Sequence, residues 1–355
     1  MYRNLAYLNF FPDIHKGTLL QKESSIIGRV KIDQGVKIGP YSVLRADGES
    51  ITISKNVYIG PRSTVHIAHK NMSATISEGS SIGSYSLVHA CYIGKNVIIG
   101  DLSAVMDGSR VGEGAVITAG SLVPPGKKVP PYTLMGGSPA KKLRKINRDE
   151  VAKLHYELRN KEYSFSSLVL QSLSKDNFSI VPFSHMKSIV NRPIGYREIS
   201  DAAYVAPGAI MNGNVSIGDF SSLWFSCFLS SNTNGKITVG MGSNIQDNTF
   251  IDAKESTVLI GDRVTIGHNV RLGVSKIGND CLLGMGSVID DEVMIESGGV
   301  VAARSHVTSG TRIRPGEIFA GRPAKFFRNV TTKEKELFSL GQKIYEKYVL
   351  DYTEK

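Results

Sequence analysis

The sequence predicts an all-β solenoid, built as two tandem coils of short parallel strands, and three observations carry that prediction. Branched apolar residues recur at a strict period of six (Ile93, Ile99, Val105, Val111, Ile117, Val123, Val129), a spacing that fits neither an α-helix nor a lone strand. The ladder returns 184 residues later as Ile277, Leu283, Ile289, Ile295, Val301, Val307 and Ile313, and upstream Ile32, Ile38 and Leu44 are answered by Ile217, Leu223 and Leu229. Small residues stand four positions after many ladder residues, at Ser42, Ser103, Ser109, Ala115 and Ser121, then at Cys281, Ser287, Gly299 and Ser305, as inward corners between flat faces require. Glycine often follows the ladder residue directly (Gly39, Gly94, Gly100, Gly218, Gly278) and is expected to supply the unusual φ of a tight corner. Each coil buries its ladder against its neighbours, so several turns must stack.

The elements then follow in order. The first solenoid domain runs over 10–146 and leaves through Met135–Arg144. A helix and linker occupy 147–191: Asp149 to Leu170 reads as an amphipathic helix through Val151, Leu154 and Leu158, with Asp149 and Glu150 at its start, and 171–191 reads as linker. The second solenoid domain covers 192–330 and leaves through the similar Ala320–Arg328. A C-terminal helix fills 331–355, with Leu337, Leu340, Ile344 and Tyr348 on one face. Each helix is expected to flank or cap its coil.

Composition narrows the function classes. Cys91, Cys227 and Cys281 show no CxxC spacing, and an odd, sparse set argues against a disulfide framework and for a reducing compartment. The formal charge of +10 owes much to Lys127, Lys128, Lys141, Lys142, Arg144, Lys145 and Arg148, read as a solvated basic face because no nucleic-acid motif accompanies it. No stretch has the apolar length of a transmembrane helix. The cytoplasm is the expected location, with the mitochondrion as the alternative in a eukaryote.

The ladder breaks its period in both copies, where Val88 to Ile93 and Leu272 to Ile277 are each five residues rather than six. Near those breaks stand Thr64-Val65-His66 and Leu87-Val88-His89 in the first copy, and Asn244-Ile245-Gln246-Asp247 and Ile266-Gly267-His268 in the second. These stretches, with the exit segments, resemble the gamma-class carbonic anhydrases among the hexapeptide-repeat, left-handed parallel β-helix proteins. The resemblance implies two tandem left-handed β-helix domains, each followed by an α-helix. It also implies a metal site between neighbouring coils, with two histidines from one coil and one from the next.

Carried over by position, His66 and His89 are the first and third metal ligands of the first copy, where the second is Ser84. In the second copy only the second ligand, His268, survives, and Asp252 and Gly273 stand at the other two positions. Opposing the unlike copies completes one set: His66, His89 and His268. The same complementarity holds for Arg45-Ala46-Asp47 of the first copy and Gln246-Asp247 of the second. The resemblance thus implies a fused, asymmetric carbonic anhydrase in which Zn²⁺, or Fe²⁺ or Co²⁺, hydrates CO2 to bicarbonate. Gln246 would orient the nucleophile, and Arg45 and Asp247 would pair across the interface. Glu49 and His69 are weak candidates for proton transfer. The implied partners are CO2 and bicarbonate, with trimer-like packing of coils in a homo-oligomer or with a homologous subunit. Two other readings stay open: an acyl-CoA acyltransferase on the same coil, and a non-catalytic scaffold subunit.

Overall fold

A computed structural model of the chain describes residues 3–67, 72–160 and 197–353. They form two left-handed parallel β-helices side by side. Over much of each coil pairing repeats every 17 or 18 residues: Val88 pairs with Val105 and Val105 with Val123, and in the second coil Leu272 pairs with Ile289 and Ile289 with Val307. Rungs that carry loops are longer, as where Leu44 pairs with Val65 and Val65 with Val88, or Ile251 with Leu272. The shorter 17-residue rungs coincide with the broken periods in the sequence. In the first coil one face is an eight-stranded sheet, and the long strands Ser25–Ile32 and Val43–Ile53 join the other two faces into a twelve-stranded sheet. The second coil keeps three separate sheets of seven, eight and six strands. The ladder residues fill the two coil interiors, and each buried aliphatic side chain contributes about 1.5–3 kcal/mol.

The corners behave as their small residues require. Ser42 Oγ donates to the Gly60 carbonyl at 2.9 Å, and Ser103 Oγ to that of Thr118 at 2.8 Å, so each corner hydroxyl ties one rung to the next. The expected role of the ladder-following glycines is corrected. None of Gly39, Gly94, Gly100, Gly218 and Gly278 sits at positive φ; the positive-φ corners fall elsewhere, as at Asn96 (51°) and Gly108 (67°). A Cβ on Gly100 would lie 2.5 Å from the Ala119 nitrogen, and one on Gly278 2.6 Å from that of Ser297. Close stacking of consecutive rungs, rather than backbone conformation, selects glycine there.

Helix α1 spans Arg148–Arg159, starts on an Asn147–Glu150 capping box and lays Val151 against Ile98 and Val116 of the first coil. The remainder of the predicted helix beyond Asn160 and the linker at 171–191 lie outside the described residues. Helix α2 spans Thr332–Thr353. Its buried residues are Tyr345 and Tyr348, whereas Leu337 and Leu340 stay 54% and 51% exposed, so the predicted apolar face is used only in its C-terminal part.

The coils meet rung against rung. Val43, Leu87 and Ala104 of the first coil pack on Trp224, Phe225, Met285 and Ala303 of the second. Asn248 Nδ2 donates to Thr64 Oγ1, and Asn269 Nδ2 to the Arg62 carbonyl, each at 3.0 Å. The three cysteines are buried and free, and the Lys141–Lys145 strand is exposed throughout. Among the described residues, no helix is long and apolar enough to cross a membrane.

Candidate metal centre

Strand alternation and register build the first coil's share of the site. Leu44, Val65 and Val88 point inward as ladder residues, so Arg45, His66 and His89, one residue later, point outward. They pair in register, Arg45 with His66 and His66 with His89, and stack on consecutive rungs of one face. The second coil opposes that face with its turns, which carry Asp247 and His268.

The three predicted histidines come together within one chain. A ligating atom from each of His66, His89 and His268 lies within 4.8 Å of the other two, and all three side chains are buried. His66 Nδ1 is 3.1 Å from His89 Nε2. Each ring turns its other nitrogen to a carboxylate: His66 Nε2 to Asp47 Oδ2 at 3.3 Å, His89 Nδ1 to Asp107 Oδ1, and His268 Nδ1 to Asp247 Oδ2 at 3.1 Å, off the line of a straight hydrogen bond. Carboxylates behind imidazoles fix ring orientation and raise ligand basicity. Three imidazoles with one nitrogen each facing a common point are a donor set suited to a catalytic divalent ion with an open position. Asp252 is engaged elsewhere, its Oδ1 accepting from Lys254 N at 3.1 Å, and the backbone of Ser84 is fixed by its N–H donating to Asp101 Oδ1 at 2.8 Å.

Arg45 lies at the centre of the supporting shell and is fully buried. Its Nε donates to Asp247 Oδ2 across the coils at 2.9 Å, Nη1 donates to Asp47, and Nη2 donates to Tyr345 OH at 3.2 Å. Its guanidinium sits 4.4 Å from the Trp224 ring centroid. With its donors so engaged, Arg45 braces the two coils rather than facing the cavity. Asp247 Oδ1 also accepts from Phe225 N at 3.0 Å. Gln246 Nε2 donates to Asn244 Oδ1 at 3.0 Å, which leaves its buried Oε1 without a partner at the cavity wall.

Electrostatics follow from this burial. Desolvation, reinforced by Arg45, holds the His66 imidazole well below its usual pKa. Desolvation outweighs the pull of Asp247 and takes His268 down to about 4. Both rings are therefore neutral at physiological pH, the state a metal ligand needs. Burial pushes Asp47 up to about 6 despite Arg45, whereas for Asp247 the attraction of Arg45 and His268 overcomes burial and holds it below the usual carboxylate value.

Sequence reasoning missed the contribution of α2. Tyr345 OH lies 3.4 Å from His268 Nε2, Tyr352 OH donates to Asp47, and Trp224 packs against Tyr345 and Tyr352. The available signals were the single tryptophan in a turn and tyrosines at 345, 348 and 352 along one helical stripe. The remaining described histidines sit elsewhere: His15 Nδ1 accepts from Gly17 N, His155 bonds Ser81 Oγ beneath α1, and His306 faces Asp290. Glu49 is partly buried, and His69 lies outside the described residues.

A left-handed β-helix pair with a buried three-histidine cluster between its coils defines a hexapeptide-repeat protein with a candidate metal centre. Comparison with known proteins finds relatives of part of the chain. "Gamma carbonic anhydrase 2, mitochondrial" of Arabidopsis thaliana is 40% identical over 149 residues, 40% of this chain and 53% of the relative. A "Carbonic anhydrase" of Geobacillus kaustophilus is 36% identical over 152 residues, 42% of this chain and 83% of the relative. A solved hexapeptide transferase family protein from Anaplasma phagocytophilum is 37% identical, with a TM-score of 0.40 over 45% of this chain and 93% of the other. No protein-family model matches the chain. The chain belongs to the gamma-class carbonic anhydrase-like hexapeptide-repeat family. The chain spans about half the length of the plant relatives it matches.

Proposed function

We propose that the protein is a gamma-type carbonic anhydrase with one metal centre per chain, shared by two unlike coils. The observation that carries this reading is the set of three buried imidazoles, each backed by its own carboxylate and each turning its other nitrogen inward. His66 through Nδ1, and His89 and His268 through Nε2, would hold the ion, with Zn²⁺ the first choice and Fe²⁺ or Co²⁺ compatible with imidazole. When bound, such an ion supplies Lewis acidity that brings the pKa of a water molecule down to about 7, so that hydroxide is available at neutral pH.

The chain's own residues do the rest. The unpartnered Gln246 Oε1 would accept a hydrogen bond from the hydroxyl of the nucleophile or of bicarbonate. Asp47, Asp107 and Asp247 hold the imidazoles in orientation. Arg45, clamped by Asp47 and Asp247, fixes the spacing of the two coils. The cavity over His66 and His89 has a volume of about 190 Å³, room for several small molecules. That volume accommodates CO2 and bicarbonate.

Further coil-to-coil association, either with other copies or with a homologous subunit, belongs to the same proposal. The contact within the chain is heterologous, a face of one coil against turns of the other. Such contacts leave an unlike pair of surfaces for the next coil. The cytoplasm or, as for the plant relatives, the mitochondrion is the proposed setting.

The test is stopped-flow CO2 hydration by zinc-loaded protein with metal content measured in parallel. The expected result is a rate above buffer that disappears in His89→Ala. A chain that takes up no divalent metal and gives no rate overturns the proposal and leaves the scaffold reading.

A further inference from the structure

The cavity above His66 and His89 is roofed by α2, and the helix stripe that forms the roof runs Leu337, Gly341, Ile344, Tyr345, Tyr348. These positions share one helical face. All of them carry a large side chain except the second. Gly341 lies in the middle of a 22-residue helix, where glycine is the poorest residue after proline. Its φ is not positive, so no backbone conformation demands glycine there. A Cβ at this position would meet no atom within 4 Å, so packing does not demand it either. This is the reverse of Gly100, where a Cβ would strike the next rung at 2.5 Å.

The two parts of α2 are anchored unequally. Beyond the glycine, Tyr345 and Tyr352 bond to the Arg45–Asp47 network, and Asp351 accepts from Tyr7 OH at 2.5 Å. Before it, Leu337 and Leu340 remain about half exposed. The roof is thus closed and pinned at its C-terminal end and has a missing side chain where it begins to cover the histidines. The walls below carry the apolar side chains of Leu282 and Met285, and Phe338 adds an aromatic side chain from α2 itself.

We infer that Gly341 is the doorway to the metal centre: the absent side chain leaves the opening through which a small, uncharged molecule reaches His66 and His89, and its size sets the upper limit on what enters. The inference deepens the carbonic anhydrase reading and rests on it for the identity of the entrant, CO2. The opening itself can be tested without metal.

The experiment compares the full-length wild type with Gly341→Ala and Gly341→Leu, using diethyl pyrocarbonate on chelator-treated protein and reading carbethoxylation of His66 and His89 by peptide mass spectrometry. Gly341→Leu is expected to slow labelling of both histidines about tenfold and Gly341→Ala to change it little, as for a gate set by side-chain size. Melting temperatures for both variants should equal or exceed that of the wild type, because both residues favour helix over glycine. With zinc loaded, Gly341→Leu should keep its metal and lose kcat/KM for CO2 by a similar factor. Labelling in a folded Gly341→Leu at the wild-type rate, or protection of both histidines in the wild type, overturns the doorway. Gated labelling in a chain that binds no metal keeps the doorway and sinks the carbonic anhydrase reading. An active zinc enzyme with ungated labelling does the opposite.

Discussion

The two coils share a scaffold and differ on one face. In the first coil, Arg45, His66 and His89 stack outward on consecutive rungs, with Asp47 and Asp107 behind the rings. The corresponding face of the second coil carries Ser230 in register with Asp252, then Gly273, and Asp291 is paired with Lys254 instead of an imidazole. The second coil gives its turns to the candidate site, through Gln246, Asp247 and His268, where the first has Gly60, Pro61 and Ser84. The inward ladders are interchangeable in kind; the outward residues are not. Fold is therefore written in the residues that face in, and the candidate chemistry in those that face the other coil.

The largest expected consequence of this asymmetry is in stability. Arg45→Met strands Asp47 and Asp247 as buried charges and should cost about 3–5 kcal/mol in denaturant unfolding, whereas Ser230→Ala at the matching position of the second coil should cost about 1 kcal/mol or less. Equal losses would erase the distinction between the faces. Next in size is metal affinity. Asp107→Asn should weaken zinc binding by about 10–100-fold in competition with a chelator. Asp291→Asn, its counterpart, should leave zinc binding unchanged and, since it breaks only an exposed pair, cost under about 1 kcal/mol.

A smaller effect sharpens the same contrast through pH. Protons displace a metal only by binding its ligands, so affinity falls as pH drops through the ligand pKa in the folded protein. An ordinary imidazole at 6.5 would begin to fail near that pH, but burial lowers both His66 and His268, the latter to about 4. Zinc retention should therefore persist below pH 6.5 and be lost only in more acidic solution, as followed by metal content after rapid desalting at stepped pH. Release centred at 6.5 would contradict the expectation drawn from His66 and His268.

How much of this was legible in the sequence follows from the range of the forces involved. The ladder at Ile93–Val129 could be read because each inward position is fixed by its own rung. That His66, His89 and His268 would lie together could be read because motif positions survive even when divided between copies. The role of the ladder-following glycines was misread because a Cβ clash with the next rung is invisible in local sequence and looks the same as a demand for positive φ. Tyr345 was hidden for a different reason. It meets Arg45 across 300 residues of chain, and nothing near Leu340 or Ile344 signals that the helix doubles back over the other coil. Leu337 and Leu340 matched a packing stripe by spacing, but α2 leaves that end of its face about half exposed.

The central claim is that two incomplete copies make one site. Zinc equivalents per chain, measured on the intact protein and on His268→Ala, test it most directly. The account predicts one equivalent in the wild type and loss of tight binding when that single residue of the second coil is removed. Two equivalents in the wild type, or one retained undiminished in His268→Ala, would contradict it.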